Sequence, residues 1–327
     1  MDEQLASPSS PTAPLTEADM GIWQGRTDPE PNSERWHQRI AAYRSGAEPG
    51  VVVTGFASDA GVARNKGRVG AADGPAAIRR ALAPMAWHRD APAYDAGDVH
   101  CVGNGLEDAQ EALGARVTEI LDQGHQPVVL GGGHEVAYAS WRGLSEHLDK
   151  GHRRPTVAII NLDAHFDLRD PSEQTSSGTP FAQIAADCAR RRWPFRYACL
   201  GVSQAANTRA LFHTAKRLKS LVVEDREFRD SRIAYIKRDV QRLVADCDHV
   251  YLTIDMDVFP ASDAPGVSAP ASRGVILTHF EPILEFLRRS RKLRLIDIAE
   301  VNPAYDIDQR TARLAARLVH QLTRSNA

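Results

Sequence analysis

The sequence predicts an α/β fold: a mainly parallel central sheet covered by helices on both faces, in three layers. Three observations lead there. From residue 50 onward, short β-branched runs alternate with longer helical patterns, the alternation of a parallel sheet with crossover helices. The runs are apolar almost throughout, as strands buried on both faces are. Polar, chemistry-bearing residues gather at the carboxyl ends of those runs, where ligands bind in such folds.

The strand runs are VVVTGF at 51–56, PVVLGGG at 127–133, TVAIINLD at 156–163, YACLGVS at 197–203, SLVVE at 220–224, HVYLTIDMD at 249–257 and LRLIDIAEVN at 293–302. Helical patterns fall between them at 106–124, 134–151, about 179–192, 205–219 and 231–247, with a strongly periodic last helix at 306–322. Residues 1–18 are rich in Ser, Pro and Ala and are expected to form a disordered tail. Residues 19–49, with isolated Trp23 and Trp36, read as an irregular arm of a single domain spanning 19–327.

Composition narrows the class of function. The 327 residues carry 40 Lys+Arg against 42 Asp+Glu, a net charge of −2. Nothing global therefore attracts nucleic acid or an anionic membrane, and the expected partner is a small-molecule substrate. The longest apolar runs are far too short to cross a bilayer. The start MDEQ lacks the basic and apolar regions of a secretory signal. Four scattered cysteines without CxxC spacing point to a reducing, cytoplasmic setting.

The chemistry concentrates in NLDAHFDLRD, residues 161–170. Side chains alternate along an extended strand, so Asp163, His165 and Asp167 are expected on one face. Asp255 and Asp257 repeat the arrangement after the strand LTI, and His134 follows the glycines of GGGHE. Singly, each piece has a bland explanation: a capping histidine or a pair of turn-forming aspartates. Together they place four carboxylates and two imidazoles at three strand ends, where only a cation compensates the charge. A hard, oxygen-rich set without cysteine suits Mn(II), and six ligands suit two ions better than one.

In order along the chain, GGGHE, DAHFD, SGTPF, TIDMDVFPASDAPGVSAP and AEVNP resemble the ureohydrolase superfamily of arginase and agmatinase, from about residue 50 to the C-terminus. The resemblance implies an arginase-like α/β/α fold, two Mn(2+) ions per subunit with a bridging hydroxide, and a homo-oligomer, trimer or hexamer. One ion would take His134, Asp163, Asp167 and Asp255, and the other Asp163, His165, Asp255 and Asp257. By the same resemblance Glu300 would receive the substrate's cationic nitrogens and Asp167 would pass the proton to the leaving nitrogen.

Ser177 stands where arginases and agmatinases carry a histidine, which argues against guanidine hydrolysis. Arg169, in DLRD, and Arg68, in the loop RNKGRVG with Arg64 and Lys66, offer the forked cations that suit carboxylates. With WQGRTDPE and RWHQR, this pattern resembles the formimidoylglutamase branch, which hydrolyses N-formimidoyl-L-glutamate to L-glutamate and formamide in histidine degradation. The alternative within the family is a guanidine hydrolase releasing urea. Arg169, Arg68 and Ser177 are the expected substrate-binding residues. Glu135 is expected to be a first-turn carboxylate favoured by its helix dipole.

Overall fold

Among the described residues nine strands, every neighbouring pair parallel, build one sheet: β1 (Ile40–Ala42), β2 (Val51–Ala57), β3 (Ala93–His100), β4 (Gln126–Leu130), β5 (Val157–Leu162), β6 (Arg196–Val202), β7 (Leu221–Glu224), β8 (His249–Asp255) and β9 (Leu293–Ala299). Their order across the sheet is β1-β3-β2-β4-β9-β8-β5-β6-β7. The structure is a computed structural model and describes residues 13–151 and 154–325.

Besides the short α1 (Trp36–Arg39) and α2 (Ala60–Arg64), two helical layers cover the sheet. On one face α3 (Gly74–Leu82), α8 (Asp230–Ala245), α9 (Leu277–Arg289) and α10 (Arg310–Thr323) share a core with Val128, Leu130, Ala158, Ile160 and Leu162. On the other, α4 (Leu106–Asp122), α5 (Val136–Asp149), α6 (Pro180–Arg191) and α7 (Arg209–Arg217) share one with Val129, Val157 and Ile159. Neighbouring strand residues thus enter opposite cores, as the pleat requires. The three layers agree with the sequence expectation. No helix among the described residues is long and apolar enough to cross a membrane.

Glycine sets one close packing: a Cβ on Gly143 of α5 would lie 2.5 Å from the Gly114 carbonyl oxygen of α4, so those helices approach almost backbone to backbone.

Several elements escaped the sequence patterns, among them the edge strand β1, strand β3 and helices α3 and α9. Strand β3 reads AYDAGDVH, with two aspartates and a glycine where an apolar run would have marked it. Its charge is answered from α3. Arg79, 4% exposed, pairs with Asp95 at 2.8 Å and Asp98 at 2.6 Å, and the Trp23 indole N–H donates to Asp95 Oδ2 at 2.8 Å. The arm is thereby tied to the sheet, with Trp36 fully buried.

The expected tail lies mostly outside the described residues, but 13–18 do not behave as one. Leu15 bridges Val99 antiparallel, the Thr16 N–H donates to the Asp98 carbonyl, and the His100 N–H donates to the Pro14 carbonyl. Backbone pairing along β3 holds a segment whose composition alone gave no reason for order.

Asp95→Ala leaves the Arg79 guanidinium without its most buried partner. Removing one member of a buried pair costs about 3–5 kcal/mol, to be read as a lower urea midpoint at unchanged m-value. A midpoint equal to wild type would show that the clip contributes nothing.

Candidate functional site

The loops leaving β4, β9, β8 and β5, four neighbours at the centre of the sheet, meet over its carboxyl edge. Each delivers part of the site by a different local device.

After β4 the chain turns through Gly131–Gly133 into α5. A Cβ on Gly132 would sit 1.7 Å from the Ser58 carbonyl oxygen, so only glycine passes there. His134 follows, its N–H donating to Glu300 Oε1 at 3.0 Å. Glu300, just past β9, takes a left-handed backbone (φ 67°), and its N–H donates to the Gly132 carbonyl at 2.8 Å. The β4 and β9 loops are thus laced together.

After β5 the run D-x-H-x-D leaves the sheet, which differs from the extended strand expected. Asp163 Oδ1 accepts the His165 N–H at 2.6 Å, a turn closed by the aspartate itself, and Asp167 is left-handed (φ 48°). Asn207 clamps the bend, accepting the Phe166 N–H at 3.1 Å and donating to the Ala164 carbonyl at 2.8 Å. The bend spreads the three side chains over two points instead of one.

The two points are well defined. His134, Asp163, Asp167 and Asp255 form one group that could hold a metal ion, and Asp163, His165 and Asp257 a second, with donor atoms in each within 4.8 Å of one another. The first matches the implied set of four. The second lacks Asp255, whose Oδ1 instead accepts the Asp257 N–H at 2.8 Å while Oδ2 faces His134.

Geometry separates these groups from ordinary ion pairs. His134 Nδ1 has carboxylate oxygens of Asp167, Asp255 and Asp163 at 2.9, 3.1 and 3.2 Å, yet none lies in line to accept a hydrogen bond from it. Donor atoms that crowd one another without bonding surround a common point, as ligands do around a cation. The other ring nitrogen, Nε2, lies 2.9 Å from the Thr253 hydroxyl, the outer partner that a ligating imidazole needs. The residues fit a metal centre.

Electrostatics agree. Burial, then Asp257 and Asp163, push Asp255 well above the usual carboxylate range, and burial with the Asp163 charge pushes Asp167 up to about 6. Against its own burial, His134 and His165 hold Asp163 below that range. His165 is raised chiefly by Asp257. Against burial, His134 is raised by Asp163, Asp167 and Asp255. The cluster is short of positive charge.

Above these groups lies a cavity of about 320 Å³ that also reaches Glu300, Ser177, Arg169 and Arg68. Glu300 Oε2 is buried with no partner, and burial, then Glu135 and Asp257, raise its carboxyl to about 8. Arg169 is exposed at the rim and makes no ion pair among the described residues. Its backbone N–H donates to the Gly178 carbonyl at 3.0 Å.

Arg68 departs from expectation: its Nε and Nη2 donate to the Ser268 and Val267 carbonyls at 3.0 and 2.5 Å, and its guanidinium stacks 4.1 Å over Tyr305. It braces one loop against another. Arg64 is likewise engaged, with Glu107 at 2.6 Å. Lys66, exposed and left-handed, lines the cavity beside Arg68.

Glu135 lies not in the first turn of α5, the expected place, but just before it at the N-cap position, and its carboxylate accepts from the Ser58 hydroxyl at 3.0 Å and the Gly61 N–H at 2.9 Å. Burial pushes it up to about 7.

Asn207, Asn161 and Thr253 were not singled out in the sequence. Asn161, which donates to Asp163 Oδ2 at 2.9 Å, stood inside the motif; Asn207 lay in AANT, which carries no signal.

Comparison with known proteins follows the same lines. The arginase family model matches residues 49–324. A curated relative, the formimidoylglutamase of Aeromonas hydrophila subsp. hydrophila, is 53% identical over 308 residues, 93% of this chain and 97% of its own. The formimidoylglutamase of Bacillus subtilis has the same fold at 21% identity, with a TM-score of 0.80 over 91% of this chain and 93% of that one. The formiminoglutamase of Trypanosoma cruzi, solved with Mn2+, gives 0.74 at 24% identity over 84% and 92%. The matched span runs from just before β2 through α10, across every strand end that builds the site, and on that ground the chain belongs to the arginase family.

Proposed function

We infer that this chain hydrolyses N-formimidoyl-L-glutamate to L-glutamate and formamide. The observation that carries the reading is a single cavity with a cation-hungry Asp/His cluster at its floor and Arg169, without an ion pair among the described residues, at its rim. The likeness to curated formimidoylglutamases over 93% of the chain supports it. A substrate with a cationic amidine at one end and carboxylates at the other spans such a cavity head first.

The site residues take these roles in the proposal. His134, Asp163, Asp167, His165, Asp255 and Asp257 hold two Mn2+ ions, with Asp163 shared. When bound, the ions supply an acidified water and stabilise the charge that develops on the substrate. Glu300 meets the amidine N–H groups with its unpartnered oxygen, a charge-assisted contact that fixes the carbon to be attacked. Asp167 carries the proton to the departing glutamate nitrogen. Its side chain keeps 12% exposure to the cavity, against 0, 4 and 5% for Asp163, Asp255 and Asp257. Ser177, 6% exposed and accepting from Asn65 Nδ2 at 3.2 Å, leaves room and a hydroxyl where a histidine would fill the wall. Arg169 and Lys66 take the carboxylates. Arg68 holds the loop that presents Lys66. The same proposal includes the trimeric or hexameric assembly and cytoplasmic setting that the resemblance implies.

Product analysis tests the substrate. With Mn2+ supplied, formamide and glutamate are expected from N-formimidoyl-L-glutamate, and no urea from agmatine, 4-guanidinobutyrate or arginine. Urea from any of those three would replace the reading with a guanidine hydrolase.

Asp163→Ala should lose bound Mn2+ and turnover together, both ions weakening because both groups include this carboxylate. A variant that keeps full activity would remove the shared-ligand assignment.

Arg169→Ala should raise KM by about 10–100-fold, the loss of a charge-assisted contact of roughly 1.5–3 kcal/mol, with kcat little changed. Arg68→Ala should act mainly on stability. Were Arg68→Ala to raise KM and Arg169→Ala not, the anion site would lie in the 64–70 loop.

A further inference from the structure

Beneath the site, in the wall of the sheet, lies a carboxylate with no part in the proposed reaction. Asp297 on β9 is fully buried, and its register partner on β8 is Thr253. Tyr251, two residues earlier on β8 and therefore on the same face, brings its hydroxyl within 2.5 Å of Asp297 Oδ2. Asp297 Oδ1 has no hydrogen-bond partner. A buried acceptor left unmet is costly, so a carboxylate is kept here against a standing penalty.

The chain of contacts leads upward from it. His134 Nδ1 faces three carboxylate oxygens, while Nε2 lies 2.9 Å from Thr253 Oγ1. For Nδ1 to present its lone pair, Nε2 must carry the hydrogen and Thr253 must accept it. The hydroxyl proton of Thr253 then needs an acceptor of its own. Asp297 stands beside it in the sheet, on the same face; burial raises its carboxyl, and the Thr253 hydroxyl works against that rise.

We propose that Asp297, acting through Thr253, is a positioning residue that fixes His134 as the Nε2–H tautomer and turns Nδ1 toward the cation shared with Asp163, Asp167 and Asp255. Tyr251 orients the carboxylate from the other side. The inference rests on the reading of the cluster as a metal centre.

The test reads metal binding rather than turnover: titration of the full chain with Mn2+, following the free ion by electron paramagnetic resonance. Wild type is expected to bind two ions. Thr253→Val should weaken one of them by about 10–100-fold and leave the other within about threefold, the usual scale for an outer partner of a ligand. Thr253→Ser should restore the wild-type pattern, and Asp297→Asn should weaken the same ion as Thr253→Val. Should Thr253→Val fail to fold, Asp297→Asn with Thr253→Ser still decides. Unchanged binding of both ions in Asp297→Asn overturns the proposal. So does equal weakening of both ions, which a merely loosened sheet would produce. Wild type that binds no Mn2+ would overturn the metal reading itself. Wild type that binds two ions and releases no formamide would remove only the substrate assignment.

Discussion

Four aspartates crowded over the centre of the sheet repel one another, and much of the local structure answers to that repulsion. Asp163 belongs to both groups and, against its own burial, is held below the usual carboxylate range by His134 and His165, while burial and neighbouring aspartates raise Asp255 and Asp167. Two imidazoles supply part of the missing charge. A divalent ion supplies more and needs no proton. Clustered carboxylates deep in a fold cost stability unless something cationic joins them, and metal binding here is therefore also stabilisation of the fold.

The sheet makes this crowding possible because β4, β9, β8 and β5 are adjacent. Parallel strands end on the same edge, so four loops from distant parts of the sequence arrive within a few ångströms of one another. What aims the side chains is less regular. Gly132 lets the β4 loop pass the Ser58 carbonyl, Asn207 clamps the bend after β5, and the Glu300 and Gly132 backbones hold each other. Arg68 and Arg64, cations that from the sequence alone looked available, are consumed in fastening the loops around the cavity.

The three-layer fold was legible because apolar runs buried on both faces leave a plain pattern, as in TVAIINL and HVYLTI. Strand β3 was not, because Asp95 and Asp98 are compensated by Arg79 from another element. That is a long-range fact which no local pattern records. The two groups that could hold a metal ion were legible as clusters because D-x-H-x-D and DMD keep their spacing whatever the backbone does. Their division into two points was not read from geometry, since it depends on the left-handed turn at Asp167. Nor could Thr253 be read: it sits as an ordinary β-branched residue in a strand until its register beside Asp297 and its contact with His134 are known.

Asp167 and Glu300 both hold backbone angles that side-chain-bearing residues avoid, at a cost of about 1–3 kcal/mol each. Glycine would sit there with less strain and no carboxylate. Selection for a sturdier chain and selection for an active one therefore pull these two positions in opposite directions. A lineage released from the need for the reaction would be expected to drift toward relaxed loops first, with the sheet and its apolar runs outlasting the site they were built to carry.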